Sequence, residues 1–333
     1  MNNRVIELKS KPSLTGFGSC VGKTESEGPI SQDFDMCFSD DGINQSSWEK
    51  AECELLSNAV EIALKSANKS FDDIDIAFAG DLLNQCTPSS YSFRNKNVPF
   101  CGLFGACSTM AYSMLLATLT VDGSYADTAV AATSSHFCSA EKQFRYPVEY
   151  GSQRSPTSQR TVTGAGAFVV ERNKKQKVFI PRILIGKVVD LGVTDSSNMG
   201  AAMAPAAAES ISEFLKCTKT EPKDYDMILT GDLGKVGSIL LKDYLINNKG
   251  YDISAVHNDC GLIIYDLEGQ KVDSGGSGCG CSAAVLASHI MKRMNNRELK
   301  KVLFIGTGAL MSPLISLQGE SIPGIAHIVE MNI

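Results

Sequence analysis

Phe78-Ala79-Gly80-Asp81-Leu82 closes one apolar run, and Leu229-Thr230-Gly231-Asp232-Leu233 closes another with the same three-residue ending. Downstream of the first, Ala106-Cys107-Ser108 opens a long apolar segment that leads to Ala131-Ala132-Thr133-Ser134. Downstream of the second, Gly280-Cys281-Ser282 opens one that leads to Ile305-Gly306-Thr307-Gly308. Cys107 precedes Thr133 by 26 residues, and Cys281 precedes Thr307 by 26. The repeat is longer than the period of about 20–50 residues that marks a solenoid. The chain therefore reads as a duplicated α/β unit. Its two pseudo-symmetric halves share one site, with a cysteine starting a buried helix in each half and the two cysteines meeting near the pseudo-axis.

The 333 residues are 43% hydrophobic and 20% charged, an ordinary globular balance that suffices for two cores. Net charge is −6 and no Lys/Arg block stands out, which disfavours nucleic-acid binding, since phosphates are neutralised by a concentrated basic face. Eleven cysteines form an odd set without a Cys-x-x-Cys, and Cys101, Cys138 and Cys260 sit in apolar runs. That pattern predicts reduced, buried thiols in a cytosolic setting, not a disulfide framework. Met1 to Glu7 carries no apolar signal core. The stretch Cys101–Val121 has the length of a membrane span, but Gly102, Gly105, Ser108 and Thr109 break it into a strand, a turn and a buried helix. Any membrane association is expected to be peripheral.

Ser47 is placed to cap an amphipathic helix running to about Ala67, on which Ala51, Leu55, Ala59, Ile62 and Leu64 share a face. A strand follows over Asp73–Ala79. The second half repeats the order with a helix near Ala206–Cys217 and a strand over Asp226–Thr230. The segment from Ser108 to Val121 is apolar nearly all round, as is Ser282 to Met294, so both helices are expected between layers. Strands are predicted at Ala129–Ala132 and Val302–Ile305. A β-turn-β passage across 166–189 marks the junction between halves 1–175 and 176–333, and Leu262–Tyr265 with a turn at Glu268-Gly269 is its predicted echo.

Cys107 is the first chemical candidate. A thiol at a helix N-terminus feels the positive end of the helix dipole and unpaired N–H donors, which favour thiolate and attract carboxylates. Phe104-Gly105-Ala106-Cys107-Ser108-Thr109 resembles the nucleophile turn of the thiolase and ketoacyl-synthase superfamily, whose fold is a duplicated five-layer αβαβα sandwich. More narrowly, Ala79–Gln85, Ala132–His136, Gln143–Pro147, Met203–Ala208 and Asp259-Cys260-Gly261 resemble the stage V sporulation protein AD family, in order, from about Trp48 to His327. That resemblance implies a protein that binds dipicolinic acid, free or as its calcium chelate, for uptake into developing spores and release at germination. It also implies membrane channel subunits as partners, peripheral attachment at the spore inner membrane from the cytoplasmic side, and a homodimer. No resident metal or cofactor is expected. In synthase III enzymes a histidine follows the second-half strand and an asparagine precedes the second buried helix. The matching positions here are Gly231 and Cys281, so the frame of the nucleophile is kept without its base.

On this reading Asp81, Cys107, His136, Cys260, Cys281 and Arg145 line a ligand pocket. Two alternatives stand beside it: Asp81 as a cap for the next helix, and His136 as a structural histidine at a strand end. Arg145, with Tyr146 and Glu149, lies at the expected pocket mouth, where a guanidinium matches a carboxylate; the alternative is a solvated loop. His257 is a weaker pocket candidate, and His289 and His327 read as structural. The competing function is acyl transfer from acyl-CoA through Cys107. Gly18–Thr24 approaches a phosphate loop, but its first glycine is misplaced and Glu25 follows where a helix should begin. Gly275–Cys281 lacks dinucleotide spacing, and Cys279-x-Cys281 lacks a second ligand pair for zinc.

Overall fold

A computed structural model describes residues 4–144, 154–172, 174 and 177–333. Its strands are β1 (Val5–Glu7), β2 (Ser13–Val21), β3 (Met36–Cys37), β4 (Ile76–Gly80), β5 (Phe100–Leu103), β6 (Thr128–Ser135), β7 (Arg160–Thr161), β8 (Gly164–Glu171), β9 (Val178–Phe179), β10 (Arg182–Leu184), β11 (Met227–Thr230), β12 (His257–Asp259), β13 (Gly276–Ser277), β14 (Lys301–Ala309) and β15 (Gly324–Asn332). The first-half sheet runs β2-β8-β6-β4-β5 and the second β10-β15-β14-β11-β12. The pairings match one for one: β6 with β8 and β14 with β15 are antiparallel, whereas β4 with β6 and β5, and β11 with β14 and β12, are parallel. The short β9 touches both β2 and β15 and joins the two sheets. β1 crosses to the second half and pairs with β10.

Side-chain detail repeats as well. Asp75 accepts the N–H groups of Asp127 and Thr128 at the start of β6, at 2.8 and 3.0 Å. Asp226 does the same for Lys300 and Lys301 at the start of β14, at 2.7 and 2.9 Å. Reciprocal caps, Ser70 with Asp73 and Glu221 with Asp224, close the turns ahead of β4 and β11. In both halves, then, carboxylates take up backbone N–H groups that the strands and turns leave unpaired.

Helix α1 is the single turn Lys23–Ser26, α2 is Trp48–Ser66, α3 is Thr87–Phe93, α4 is Thr109–Asp122 and α5 is Phe137–Phe144. The α2 N-cap is Ser47, whose hydroxyl accepts the Lys50 N–H at 3.3 Å. Its apolar face (Leu55, Leu56, Ala59, Val60, Ala63) lies on the outer side of the first sheet. The contact is close because β2 carries glycine there: a Cβ on Gly16 would stand 2.2 Å from the Ala63 carbonyl oxygen. Helix Met199–Thr218 covers the second sheet in the same way. Between the sheets lie α4 and the helix that starts at Cys279 and continues, through a π turn at Leu286–Ile290, to Asn295. Met110, Met114, Leu115, Val285, Leu286 and Ile290 fill that middle layer with Phe168 of one sheet and Phe304 of the other. The result is the expected αβαβα sandwich. Burying a leucine- or phenylalanine-sized side chain contributes about 1.5–3 kcal/mol, so this layer dominates the stability of the whole.

Two expectations on secondary structure are corrected. The second outer helix begins at Met199, not near Ala206, and holds Gly200 and Pro205 inside it. Pro205 is buried there, and Asn198 caps the start by accepting the Ala201 N–H. Leu262–Tyr265 is not a strand: Cys260–Ile263 is a helical turn capped by Asp259. A short apolar run does not by itself distinguish the two. β5 pairs with β4 and, among the described residues, with nothing on its other side, and it exposes Cys101 and Gly102. No described helix is long and apolar enough to cross a membrane.

Candidate functional site

Cys107 sits in a 3₁₀ turn, Ala106–Ser108, that leads into α4. Ala106 ahead of it is left-handed, at φ 51°, a conformation that costs a non-glycine residue about 1 kcal/mol or more. The turn is fixed locally: Ser108 Oγ donates to the Gly105 carbonyl at 2.6 Å, and Thr109 Oγ1 donates to the Ala106 carbonyl and accepts the Gly105 N–H. The end of β14 abuts it, since a Cβ on Gly308 would lie 3.0 Å from the Gly105 carbonyl oxygen.

Asp232, to which the sequence pattern assigns no role, faces the thiol. It is 1% exposed. Its Oδ2 accepts from Ser277 Oγ at 3.0 Å and from the Gly278 N–H at 2.9 Å, and its Oδ1 accepts from Thr307 Oγ1 at 2.8 Å. Ser277 Oγ lies 3.7 Å from Cys107 Sγ. Burial holds the Asp232 proton up to about 7, opposed by hydrogen bonds from Cys107, Gly278 and Thr307. The thiol moves the other way from expectation. Burial, followed by the adjacent Asp232 charge and hydrogen bond, pushes Cys107 well above the ordinary thiol range. The expected thiolate is therefore corrected to a protonated thiol, because desolvation and a like charge outweigh the end of a helix.

The remaining candidates fall in different places. Asp81 is wholly buried, and its carboxylate holds its own loop: Oδ1 accepts the Leu83 N–H at 2.8 Å, and Oδ2 accepts the Ser89 N–H and hydroxyl at 3.0 and 2.7 Å. Burial raises its pKa, and it shares that interior with Glu52, whose proton is held to about 8 by burial and then by Asp81. Of the two readings offered for Asp81, the capping one describes its contacts. In the second half the equivalent turn is held by Asp259, which accepts the N–H groups of Leu233, Gly234 and Gly261 and the Thr230 hydroxyl. Asp232 is thereby free to turn inward.

His136 is also wholly engaged. Its Nδ1 accepts the Cys138 N–H at 3.1 Å, which assigns the proton to Nε2, the donor to the Asp41 carbonyl at 2.7 Å. Trp48 lies against the ring, and burial keeps the imidazole neutral by lowering its pKa. His257 bonds Thr230 Oγ1, His289 bonds Asp33, and His327 accepts the Gly186 N–H and stacks on Tyr112. None of the chain's four histidines, all of them among the described residues, is hydrogen-bonded to Cys107. Gly231 leaves little room for one, since a Cβ there would be 3.2 Å from the Thr307 nitrogen.

Cys281, expected to meet Cys107, feels its charge, but Cys279 packs against it. Cys279 shares a small apolar cluster with Cys107, Leu82 and Ala140, against which Phe144 packs. Cys281 faces the middle core, where Cys260 also lies, both wholly buried with thiols pushed up by burial. Two positions along one helix thus point to different faces, and Cys279 Sγ is tied to the Ser134 carbonyl at 3.0 Å. Arg145, with Tyr146 and Glu149, lies outside the described residues. Among the described residues no group of three His, Cys, Asp or Glu is arranged to hold a metal ion.

A family model described as stage V sporulation protein AD matches residues 2–332. The stage V sporulation protein AD of Bacillus subtilis (strain 168) is 47% identical over 314 residues, covering 94% of this chain and 92% of that relative. Among solved structures, the 3-oxoacyl-[acyl-carrier-protein] synthase III of Aquifex aeolicus VF5 superposes with a TM-score of 0.58 at 13% identity, covering 97% of this chain and 100% of that one. A single-site variant of OleA from Xanthomonas campestris superposes with a TM-score of 0.63 at 13% identity, covering 98% of this chain and 99% of that one. At such identities these likenesses bear on the fold: a thiolase-like sandwich.

Proposed function

Because the chain belongs to the stage V sporulation protein AD family, we propose that it binds dipicolinic acid at Cys107 without transforming it, as the soluble subunit of a spore membrane channel complex. In that role it loads the acid into developing spores and releases it at germination. The observation that carries the reading is what stands opposite the thiol: a buried Asp232 held by Ser277, Gly278 and Thr307, in place of a histidine base. An acyl transfer through Cys107 needs a partner that takes the thiol proton and a donor set for the oxyanion. Asp232 accepts from Ser277, Gly278 and Thr307, and when ionised its charge opposes ionisation of the thiol.

The same features suit an aromatic dicarboxylate. Leu82, Ala140 and Phe144, packed with the thiol, are apolar side chains that a flat ring would meet there. A protonated Asp232 removes the repulsion that a second anion would meet, by sharing its proton with a ligand carboxylate. The acid is taken up free or as its calcium chelate, and the protein meets the membrane subunits peripherally, from the cytoplasmic side.

A second reading, acyl transfer from acyl-CoA, is favoured by the fold of the neighbouring synthases and by Cys107 on its strained turn. One calorimetric and mass-spectrometric experiment separates the two. Dipicolinate, with and without calcium, is expected to bind saturably, with affinity reduced by Cys107→Ala, while incubation with acetyl-CoA leaves the intact mass unchanged. No heat from dipicolinate, together with an acetyl adduct on Cys107, would move the protein to the enzymes.

A further inference from the structure

Cys107 packs against α5. Two inner residues of that helix, Ala140 and Phe144, close on the thiol together with Leu82, leaving Cys107 6% exposed. Between those two positions Gln143 points its amide across to the facing segment. Its Nε2 donates to the Leu82 carbonyl at 2.8 Å, and its Oε1 accepts the Asn84 N–H at 3.0 Å. The facing segment is itself under tension: Gln85 and Cys86 are consecutive left-handed residues at φ 63° and 48°, a conformation that persists only where neighbouring contacts enforce it. Asp81 enforces it, through its bonds to Leu83 and Ser89 on either side.

From this we infer that α5 and residues 82–86 are two leaves of a door over Cys107, with the Gln143 amide as latch and Asp81 as the positioning residue that holds the strained leaf. The leaves meet through apolar side chains, so the ligand they admit is one with a flat apolar face; this last clause rests on the binding function proposed above, whereas the door does not. Other contacts hold α5 in place: Lys142 pairs with Glu49 at 2.7 Å on the surface, Glu141 pairs with Arg154 at 2.9 Å, the Phe137 N–H donates to Thr163 at 3.1 Å, and Ser139 donates to Glu52 at 2.7 Å behind the helix. Releasing the latch therefore frees the seam without undocking the helix.

The test is the alkylation rate of Cys107 by iodoacetamide in the ligand-free protein, read peptide by peptide by mass spectrometry. Gln143→Met keeps the length of the side chain and removes both hydrogen bonds, and is expected to speed labelling of Cys107 about tenfold. Lys142→Ala, on the outer face of the same helix, leaves the rate unchanged. Buried Cys20 and Cys260 serve as internal controls for unfolding, and exposed Cys101 and Cys217 as controls for reagent. An unaltered Cys107 rate in Gln143→Met, or a parallel rise at Cys20 and Cys260, overturns the door. Protection of Cys107 by added dipicolinate is a separate readout that bears on the ligand alone, so failure of one reading does not mimic failure of the other.

Discussion

Asp232→Ala is expected to destabilise the protein by about 3 kcal/mol or more. The carboxylate ties three segments: the turn after β11 that bears it, Ser277-Gly278 ahead of the second buried helix, and Thr307 in β14. Alanine leaves two hydroxyls and one N–H buried without acceptors, at about 1–3 kcal/mol for each group that no water reaches. Asp232→Asn keeps one acceptor oxygen but turns an amide nitrogen toward existing donors, so an intermediate loss follows. The asparagine variant carries a second signature. Removing the charge that pushes Cys107 up lowers the thiol pKa, which titration of thiolate absorbance would record. Urea unfolding that places Asp232→Ala within about 1 kcal/mol of the parent would mean that the carboxylate is not the tie described here.

Stability is expected to fall as pH rises from about 6.5 to 8. In the unfolded chain carboxyls ionise near pH ~4. In the folded protein burial holds the protons of Glu25 and Asp232 to about 7, of Glu52 to about 8 and of Asp259 to about 6. The folded state thus binds more protons than the unfolded one. The stability linked to these raised values is fully present below the unfolded pKa and is lost as pH climbs through the folded values. Histidines act in the opposite sense. Burial lowers His136, and lowers His257 and His327 to about 4, so their contribution is complete above the ordinary histidine value of 6.5 and is lost as pH falls toward 4. The two sets oppose each other below that value and the acids act alone above it. Each acid that ionises only in the folded state there contributes a slope of about 1.4 kcal/mol per pH unit, for a total loss of a few kcal/mol. Glu25→Gln and Glu52→Gln should each flatten part of the slope. A free energy of unfolding that is level or rises across this range would contradict the assignment of those protons.

The duplication was legible because it is written twice in residues that cannot hide: an aspartate after an apolar strand, and a cysteine before an apolar helix. Ser47 as a cap and the two middle helices followed from local rules that the tertiary structure did not override. The second outer helix reaches further back than the sequence suggests, since a buried proline and glycine look the same in sequence whether they end a helix or are packed within it, as Pro205 and Gly200 are. Assigning the site was harder. Asp81 and Asp232 occupy the same place in the repeat, yet one holds its own loop and the other faces the thiol. The difference comes from Asp259, 27 residues on from Asp232, which holds the second-half turn instead. No spacing rule distinguishes those two roles. Cys279 and Cys281 were likewise inseparable without knowing which helical face meets Cys107. His136 sits at a strand end, where ligands often bind, but its neighbours Asp41 and Cys138 already satisfy both ring nitrogens.

On the proposed function the ligand lies against a thiol that takes no part in chemistry. A crystal structure of the protein grown with dipicolinate tests it most directly. The account predicts a planar ring between Leu82, Ala140 and Phe144, one carboxylate within hydrogen-bond reach of Cys107 and Asp232, and no covalent density on sulfur. A ring bound elsewhere, away from Cys107, or an acyl group on that sulfur after exposure to acyl-CoA, would contradict it.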